Sequence, residues 1–340
     1  MRNKSGIVDF FGTENDIEDL KKFLRNPQNS NGRDKNLGDF QTPSSLTDRI
    51  CMFLKSVGQH PQILVEPTCG EGNFVVSALR AFPELECVYA VDTQKQYEWL
   101  FKLNLLDSVL HDKKKFRTKI EFHRDNIFKH ELSKDFSSHL AGGKKRILIL
   151  GNPPWATNSS LSALDSNNLP PKSNLKKLSG FDALTGKSNF DISEFIILRM
   201  FELFSEKEKE EKTLGKATIA MLCKTSVIRN IVRDTPKLEF NLGNFRELRI
   251  DSKKEFDVST DSALFMASLD PQKKIDFFCE VYSFKAPGQI LKKYGWYGDK
   301  FVSDIEQFKK SRSLDGESIF EWRQGIKHDA VKVMVLHQEN

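Results

Sequence analysis

Ile147-Leu148-Ile149-Leu150-Gly151-Asn152-Pro153-Pro154-Trp155 is the stretch that decides the fold. It follows Lys144-Lys145-Arg146 and opens with an uncharged apolar run. A short apolar run of this kind, bounded by charge and then by prolines, reads as a buried parallel strand ending in a turn. Two consecutive prolines fix the backbone and remove two amide donors, so the carbonyls there can accept hydrogen bonds from something else. Asn152 adds a side-chain carbonyl acceptor, and Trp155 adds a large flat face. Two acceptors and a stacking ring suit a planar heteroaromatic amine. The same residues are also ordinary turn chemistry after a strand, so the rest of the chain has to choose between the readings.

Upstream lies Ile63-Leu64-Val65-Glu66-Pro67-Thr68-Cys69-Gly70-Glu71-Gly72-Asn73-Phe74. It reads as an apolar strand, a Gly-containing turn, and a helix with Phe74, Val75, Val76, Ala78, Leu79 and Phe82 as its apolar positions. Gly70 and Gly72 let the backbone approach a ligand closely, and the helix N-terminus leaves amide donors open. The longer Gly-x-Gly-x-x-Gly dinucleotide pattern is not met, because Val75 stands where the third glycine would fall. The Asn152 turn follows about eighty residues on, a gap that suits two or three βα units.

Together these stretches resemble the S-adenosylmethionine-dependent amino-methyltransferases of DNA. Glu66-Pro67-x-x-Gly70-x-Gly72 resembles their motif I, and Asn152-Pro153-Pro154-Trp155 their motif IV. Gly38-Asp39-Phe40-Gln41-Thr42-Pro43 resembles motif X, which closes over the methionine end of the cofactor. The expected fold is α/β: a doubly wound, mostly parallel seven-stranded sheet of the Rossmann-like methyltransferase type. Motif X before motif I implies the γ-type motif order.

The resemblance also implies site residues. Thr42, Glu66, Pro67, Cys69, Gly70, Gly72, Asp92, Asp125 and Asn126 are expected to hold S-adenosylmethionine. Asp92 ends the strand from Val88, where a carboxylate can accept from ribose hydroxyls. Asp125 sits at the tip of a third strand, where the family's acid receives the adenine amino group. Asn152, Pro153, Pro154 and Trp155 are expected to be catalytic. Trp155 and Phe256, an aromatic shortly before the last strand as in motif VIII, are expected to stack on the target base. Each has a plainer alternative: a helix cap for Thr42, Asp92 or Asp125, simple packing for Phe256.

The implied reaction is methyl transfer to the exocyclic N6 of adenine in DNA, since Asn-Pro-Pro is the commoner adenine form of motif IV. Alternatives are cytosine N4, RNA or protein glutamine as acceptor, or a non-catalytic subunit with the same fold. The resemblance belongs with restriction-modification systems. The expected partners are DNA and a recognition subunit or missing C-terminal domain. No metal is expected.

The 340 residues, 39% apolar and 29% charged, fit a soluble globular protein. No apolar run approaches a membrane span, and no secretory signal opens the chain. Five cysteines without a Cys-x-x-Cys pattern argue for a reducing, cytoplasmic setting. A net charge of +5 is compatible with nucleic-acid binding without demanding it. The expected organisation is a polar segment at 1–37, a catalytic domain at 38–270 with a mobile loop at 156–190, and a C-terminal extension at 271–340. Phe320 to Asp329 resembles the start of a target-recognition module.

Overall fold

A computed structural model describes residues 41–112, 118–140, 145–156, 191–204, 216–238, 240–269 and 277–316, together with Lys22 and Arg25. The expectations for the rest of segment 1–37, for a loop at 157–190 and for residues 320–329 lie outside the described residues.

Helix α1 (Ser44–Ser56) leads into β1 (Ile63–Glu66), α2 (Asn73–Ala81), β2 (Cys87–Asp92), α3 (Lys95–Asp112) and β3 (Lys119–Arg124). Then come α4 (Lys134–Leu140), β4 (Ile147–Gly151), α5 (Ile192–Phe204), β5 (Ala217–Lys224) and α6 (Thr225–Asp234). The chain continues through β6 (Leu242–Ile250), α7 (Ser252–Phe256), β7 (Ser262–Leu269), β8 (Phe278–Ser283), β9 (Ala286–Tyr297), β10 (Lys300–Val302) and α8 (Ile305–Lys310).

The strands form one sheet in the order β10-β9-β8-β6-β7-β5-β4-β1-β2-β3. β3, β2, β1, β4 and β5 are parallel neighbours, and this half has the doubly wound order that places loops at the strands' C-terminal ends around a crevice. β7 runs antiparallel between β5 and β6.

The expectation of seven strands is corrected here: the sheet has ten and is mixed. β6 and β7 form an antiparallel pair that lies inside the sheet and not at its edge. β8 adds parallel to β6, and β9 and β10 follow as antiparallel neighbours. The reason lies in the faces. Residues 286–291 of β9 are exposed, so that part of the strand lacks the continuous apolar run that marks a central strand. These three strands fall in the 271–340 segment expected to be an extension.

Alternation along the strands supplies two cores. Ile63, Val65, Tyr89, Ile147 and Ile149 face one way, onto Ile196 and Phe201 of α5 and Ile228 and Ile231 of α6. Leu64, Val88, Ala90, Leu148 and Leu150 face the other way, onto Leu46 and Ile50 of α1, Phe74 and Ala78 of α2 and Phe101 of α3. Burial on both faces is why β1 and β4 read as unbroken apolar runs. Among the described residues no helix is long and apolar enough to cross a membrane. Residues 306–340 separate as a second unit; among its described residues the 3-10 turn Arg312–Leu314 follows the end of α8.

Candidate active site

β1 and β4 are paired in parallel, Val65 opposite Ile149, so the turns that leave them start one strand apart on the same edge. They run close together: a Cβ added to Gly151 would lie 3.7 Å from both Glu66 Cγ and Pro67 Cδ.

In the first turn Gly70 and Gly72 have φ of 50° and 80°, the left-handed region that favours glycine. A Cβ on Gly70 would fall 2.4 Å from Gln41 Oε1, and one on Gly72 would fall 2.3 Å from Phe101 Cδ2. The turn is held from three sides. The Gly70 N–H donates to Asp92 Oδ2 across 2.9 Å. The Glu71 N–H donates to Gln41 Oε1 across 3.1 Å, and Asn104 Nδ2 donates to the Glu71 carbonyl across 2.9 Å. Thr42 is buried beside the turn, and its carbonyl accepts from Asn73 Nδ2 at 2.9 Å. The residue that caps α1 is Pro43, with no side-chain capping bond, so Thr42 is not the cap.

Glu66 is 2% exposed, and its Oε2 is buried without a hydrogen-bond partner. Burial and then the charge of Asp92 push its carboxyl well above the usual carboxylate range, opposed by the Val75 N–H in the first turn of α2. Thr68 Oγ1 is likewise buried without a partner. Cys69 is buried and its thiol is pushed up by burial, which makes it inert rather than nucleophilic.

Asp92 accepts the Gly70 N–H on one oxygen and the Gln94 N–H, at 2.9 Å, on the other. The Asp125 N–H donates to the Asp92 carbonyl at 3.0 Å, which sets the two acids side by side at the ends of β2 and β3. Asp125 accepts the Asn126 N–H on Oδ1 at 2.7 Å and meets His130 Nδ1 with Oδ2 at 2.7 Å. The hydrogen bond from His130 holds its carboxyl below the usual range. Asn126 Oδ1 accepts the Phe128 N–H at 3.0 Å, so that side chain builds the turn.

In the second turn Trp155 is 7% exposed. Its indole N–H donates to the Leu222 carbonyl of β5 at 3.3 Å. Its ring meets Phe256 edge to face, centroids 5.0 Å apart. The two aromatics expected to take the base are therefore brought together, but against each other. A base stacked between them would need roughly 7–8 Å between the rings, twice a carbon–carbon contact. Phe256 ends α7, and the residue after it, Asp257, has φ of 57°.

Gln41, Asn73, Phe101, Asn104 and His130 support this site without having been singled out in the sequence. Gln41 had a signal, its place beside Thr42-Pro43. Asn73 had one too, directly after Gly72, whereas His130 lies five residues past Asp125 and Phe101 and Asn104 reach the turn from α3, and no local pattern marks these three.

The residues fit a nucleoside carrying an amino-acid tail. Buried polar atoms without partners are rare in native interiors, and two of them, Glu66 Oε2 and Thr68 Oγ1, belong to this one Gly-containing turn. Two acids at adjoining strand ends supply acceptors for hydroxyl or amino donors. Among the described residues no group of three or more His, Cys, Asp or Glu could hold a metal ion.

Sheet order and paired turns define an α/β, methyltransferase-like protein. Over 304 residues the chain is 34% identical to Type II methyltransferase M.NspV of Nostoc sp. (strain ATCC 29411 / PCC 7524), a match covering 89% of this chain and 59% of that protein. The resemblance that the motifs suggested thus extends along most of the chain, which spans about three fifths of that curated relative. No family model matches. Solved structures give weaker likenesses. The type IIG restriction endonuclease BpuSI aligns at TM-score 0.47 and 11% identity, covering 86% of this chain and 34% of that one. A type I restriction-modification system methyltransferase subunit from Streptococcus thermophilus aligns at TM-score 0.44 and 14% identity, covering 82% and 53%. Nothing below rests on these two.

Proposed function

We propose that this chain transfers a methyl group from S-adenosylmethionine to N6 of adenine in DNA, as the modification arm of a restriction-modification system. The observation that carries the reading is the nearness of the two turns, which leave paired strands with room for no more than a methyl group between Gly151 and Glu66 and Pro67. It joins a nucleoside-binding turn to a turn that offers acceptors for an amine. The similarity to a type II methyltransferase supports it.

When bound, the cofactor supplies an electrophilic methyl group. The chain's own part is to prepare the nucleophile. An exocyclic amine is a poor one, because its lone pair is delocalised into the ring. The Asn152 side-chain oxygen and the Pro153 carbonyl would accept its two protons and favour a tetrahedral nitrogen. Positioning and electrostatics lower the barrier, with no covalent enzyme intermediate. The base must leave its stack to reach the turn, and Trp155 offsets part of that cost once Phe256 has moved aside. Sequence choice is assigned to a recognition subunit or a further domain, and the setting to the cytoplasm.

The test is incubation with radiolabelled S-adenosylmethionine and, separately, duplex DNA, RNA and protein, followed by nucleoside analysis. N6-methyladenine from DNA is expected. N4-methylcytosine would correct the acceptor. Label in RNA or protein alone would overturn the reading.

A further inference from the structure

We propose that His130 is a positioning residue for the cofactor's adenine, one that aims the Asp125 carboxylate through a hydrogen-bond relay from Tyr89. The inference rests on the reading of Asp125 as acceptor for the adenine amino group.

The relay is buried and its direction is fixed by its far end. The Ser133 N–H donates to the Tyr89 hydroxyl oxygen at 3.1 Å. Tyr89 is fully buried, so its own hydroxyl hydrogen needs an acceptor. His130 Nε2 lies 2.6 Å away and takes it. A ring nitrogen that accepts carries no proton, so in the neutral ring the hydrogen sits on Nδ1. That nitrogen faces Asp125 Oδ2 at 2.7 Å and donates to it. The tautomer of His130 therefore follows from its second partner.

The imidazole is anchored as well as oriented. The ring is 4% exposed. The His130 N–H donates to the Asn126 carbonyl at 2.9 Å, and Arg199 Nη2 donates to the His130 carbonyl at 3.0 Å. Ser133 is fixed in turn, its hydroxyl donating to Glu121 Oε2 at 3.1 Å. Asp125 itself is about half exposed. A half-exposed carboxylate left alone samples several rotamers. With Oδ1 on the Asn126 N–H and Oδ2 on His130, it has one, and each oxygen keeps a lone pair for a ligand's amine.

The experiment measures affinity for two stable ligands by calorimetry: S-adenosylhomocysteine and its purine-riboside analogue, which lacks the 6-amino group. The variants are His130→Phe, Tyr89→Phe and Asp125→Ala. A positioning role predicts that His130→Phe and Tyr89→Phe weaken the adenosyl ligand about tenfold, the scale of one hydrogen bond to a charged group, and leave the analogue unchanged. Equal weakening of both ligands, or of neither, overturns the proposal. Nitrogen-15 spectra of the imidazole supply a second readout. A hydrogen on Nδ1 of His130 is expected in the parent and a mixture in Tyr89→Phe, whereas a parental hydrogen on Nε2 overturns the relay. Asp125→Ala separates the two layers, because it removes the acceptor outright where asparagine would keep an amide oxygen. If it leaves the preference for the amino group intact, the adenine role of Asp125 fails, and the proposal falls with it. If it erases that preference while His130→Phe and Tyr89→Phe do not, Asp125 binds adenine and only the relay is wrong. Should His130→Phe not fold, Tyr89→Phe, which keeps both rings, carries the test.

Discussion

Trp155 and Phe256 stand edge to face with ring centroids 5.0 Å apart. The tryptophan thus packs in the core, and its proposed duty is to stack on a base once that contact opens. Trp155→Ala removes a side chain that is 7% exposed, and its destabilisation is expected at about 3–5 kcal/mol. Base capture should weaken by a further 1–3 kcal/mol or so. Trp155→Phe keeps much of the packing and a stacking face. It should hold the melting midpoint close to the parent and lose affinity for a DNA with an unpaired target base. Thermal unfolding and DNA titration of both variants check this; unchanged stability in Trp155→Ala would show that the ring is not part of the core.

Asp92 carries structural work beside its proposed part in cofactor binding. Its carboxylate takes the N–H groups of Gly70 and Gln94. Asp92→Ala should lower stability by about 1–3 kcal/mol for each donor left unsatisfied. It should also weaken S-adenosylmethionine, because the ribose loses its acceptor and the glycine turn its tether. Calorimetry with the cofactor decides. An affinity equal to the parent's would remove Asp92 from the binding site whatever the stability does.

Glu66 makes stability depend on pH. Burial and the charge of Asp92 place its folded-state pKa above that of the unfolded chain. The folded state then holds the proton more tightly. That stability is full below the ordinary carboxylate range and is lost as pH rises through the raised value. Glu66→Gln cannot ionise and should show a flatter fall of melting midpoint with rising pH. Unfolding curves from pH 5 to pH 9 compare the slopes, and parallel slopes would mean that Glu66 already ionises normally.

Gly72 tests the turn by sterics alone. Its φ of 80° and a would-be Cβ only 2.3 Å from the Phe101 ring leave no room for alanine. Gly72→Ala should cost on the order of 1–3 kcal/mol from overpacking, with more for the strained φ. Gly72→Ala combined with Phe101→Ala should recover only the steric part. A single variant as stable as the parent would contradict the described turn.

Those glycines also show why the parallel half was legible. The apolar runs Ile63 to Val65 and Ile147 to Leu150, on strands buried along their whole length, are the imprint of strands covered on both faces. The turns after them need residue types that few other places need. β9 carries no such imprint, since Ala286 to Leu291 stay exposed and its register shifts against β8 at Val281 and Tyr282. The partners of the site residues were hidden for a different reason. His130 meets Asp125 five residues on, and Gln41 is hydrogen-bonded to Glu71, thirty residues away in the chain. Such contacts belong to the tertiary fold and leave no period in the chain.

The central claim is that the turn after β4 polarises an amine, and Asn152→Ala is its most direct test. The side-chain carbonyl is the acceptor that mutation can delete, whereas that of Pro153 belongs to the backbone. Losing one well-placed transition-state hydrogen bond costs about 3–4 kcal/mol, a hundredfold or more in rate. Cofactor affinity should change little, because Glu66, Gly70, Asp92 and Asp125 lie on other strand ends. The measurement is single-turnover methyl transfer to DNA at saturating S-adenosylmethionine, with cofactor affinity measured in parallel. A rate at least a hundredfold down with cofactor binding retained is expected; a near-parental rate would make the turn structural and overturn the proposed chemistry.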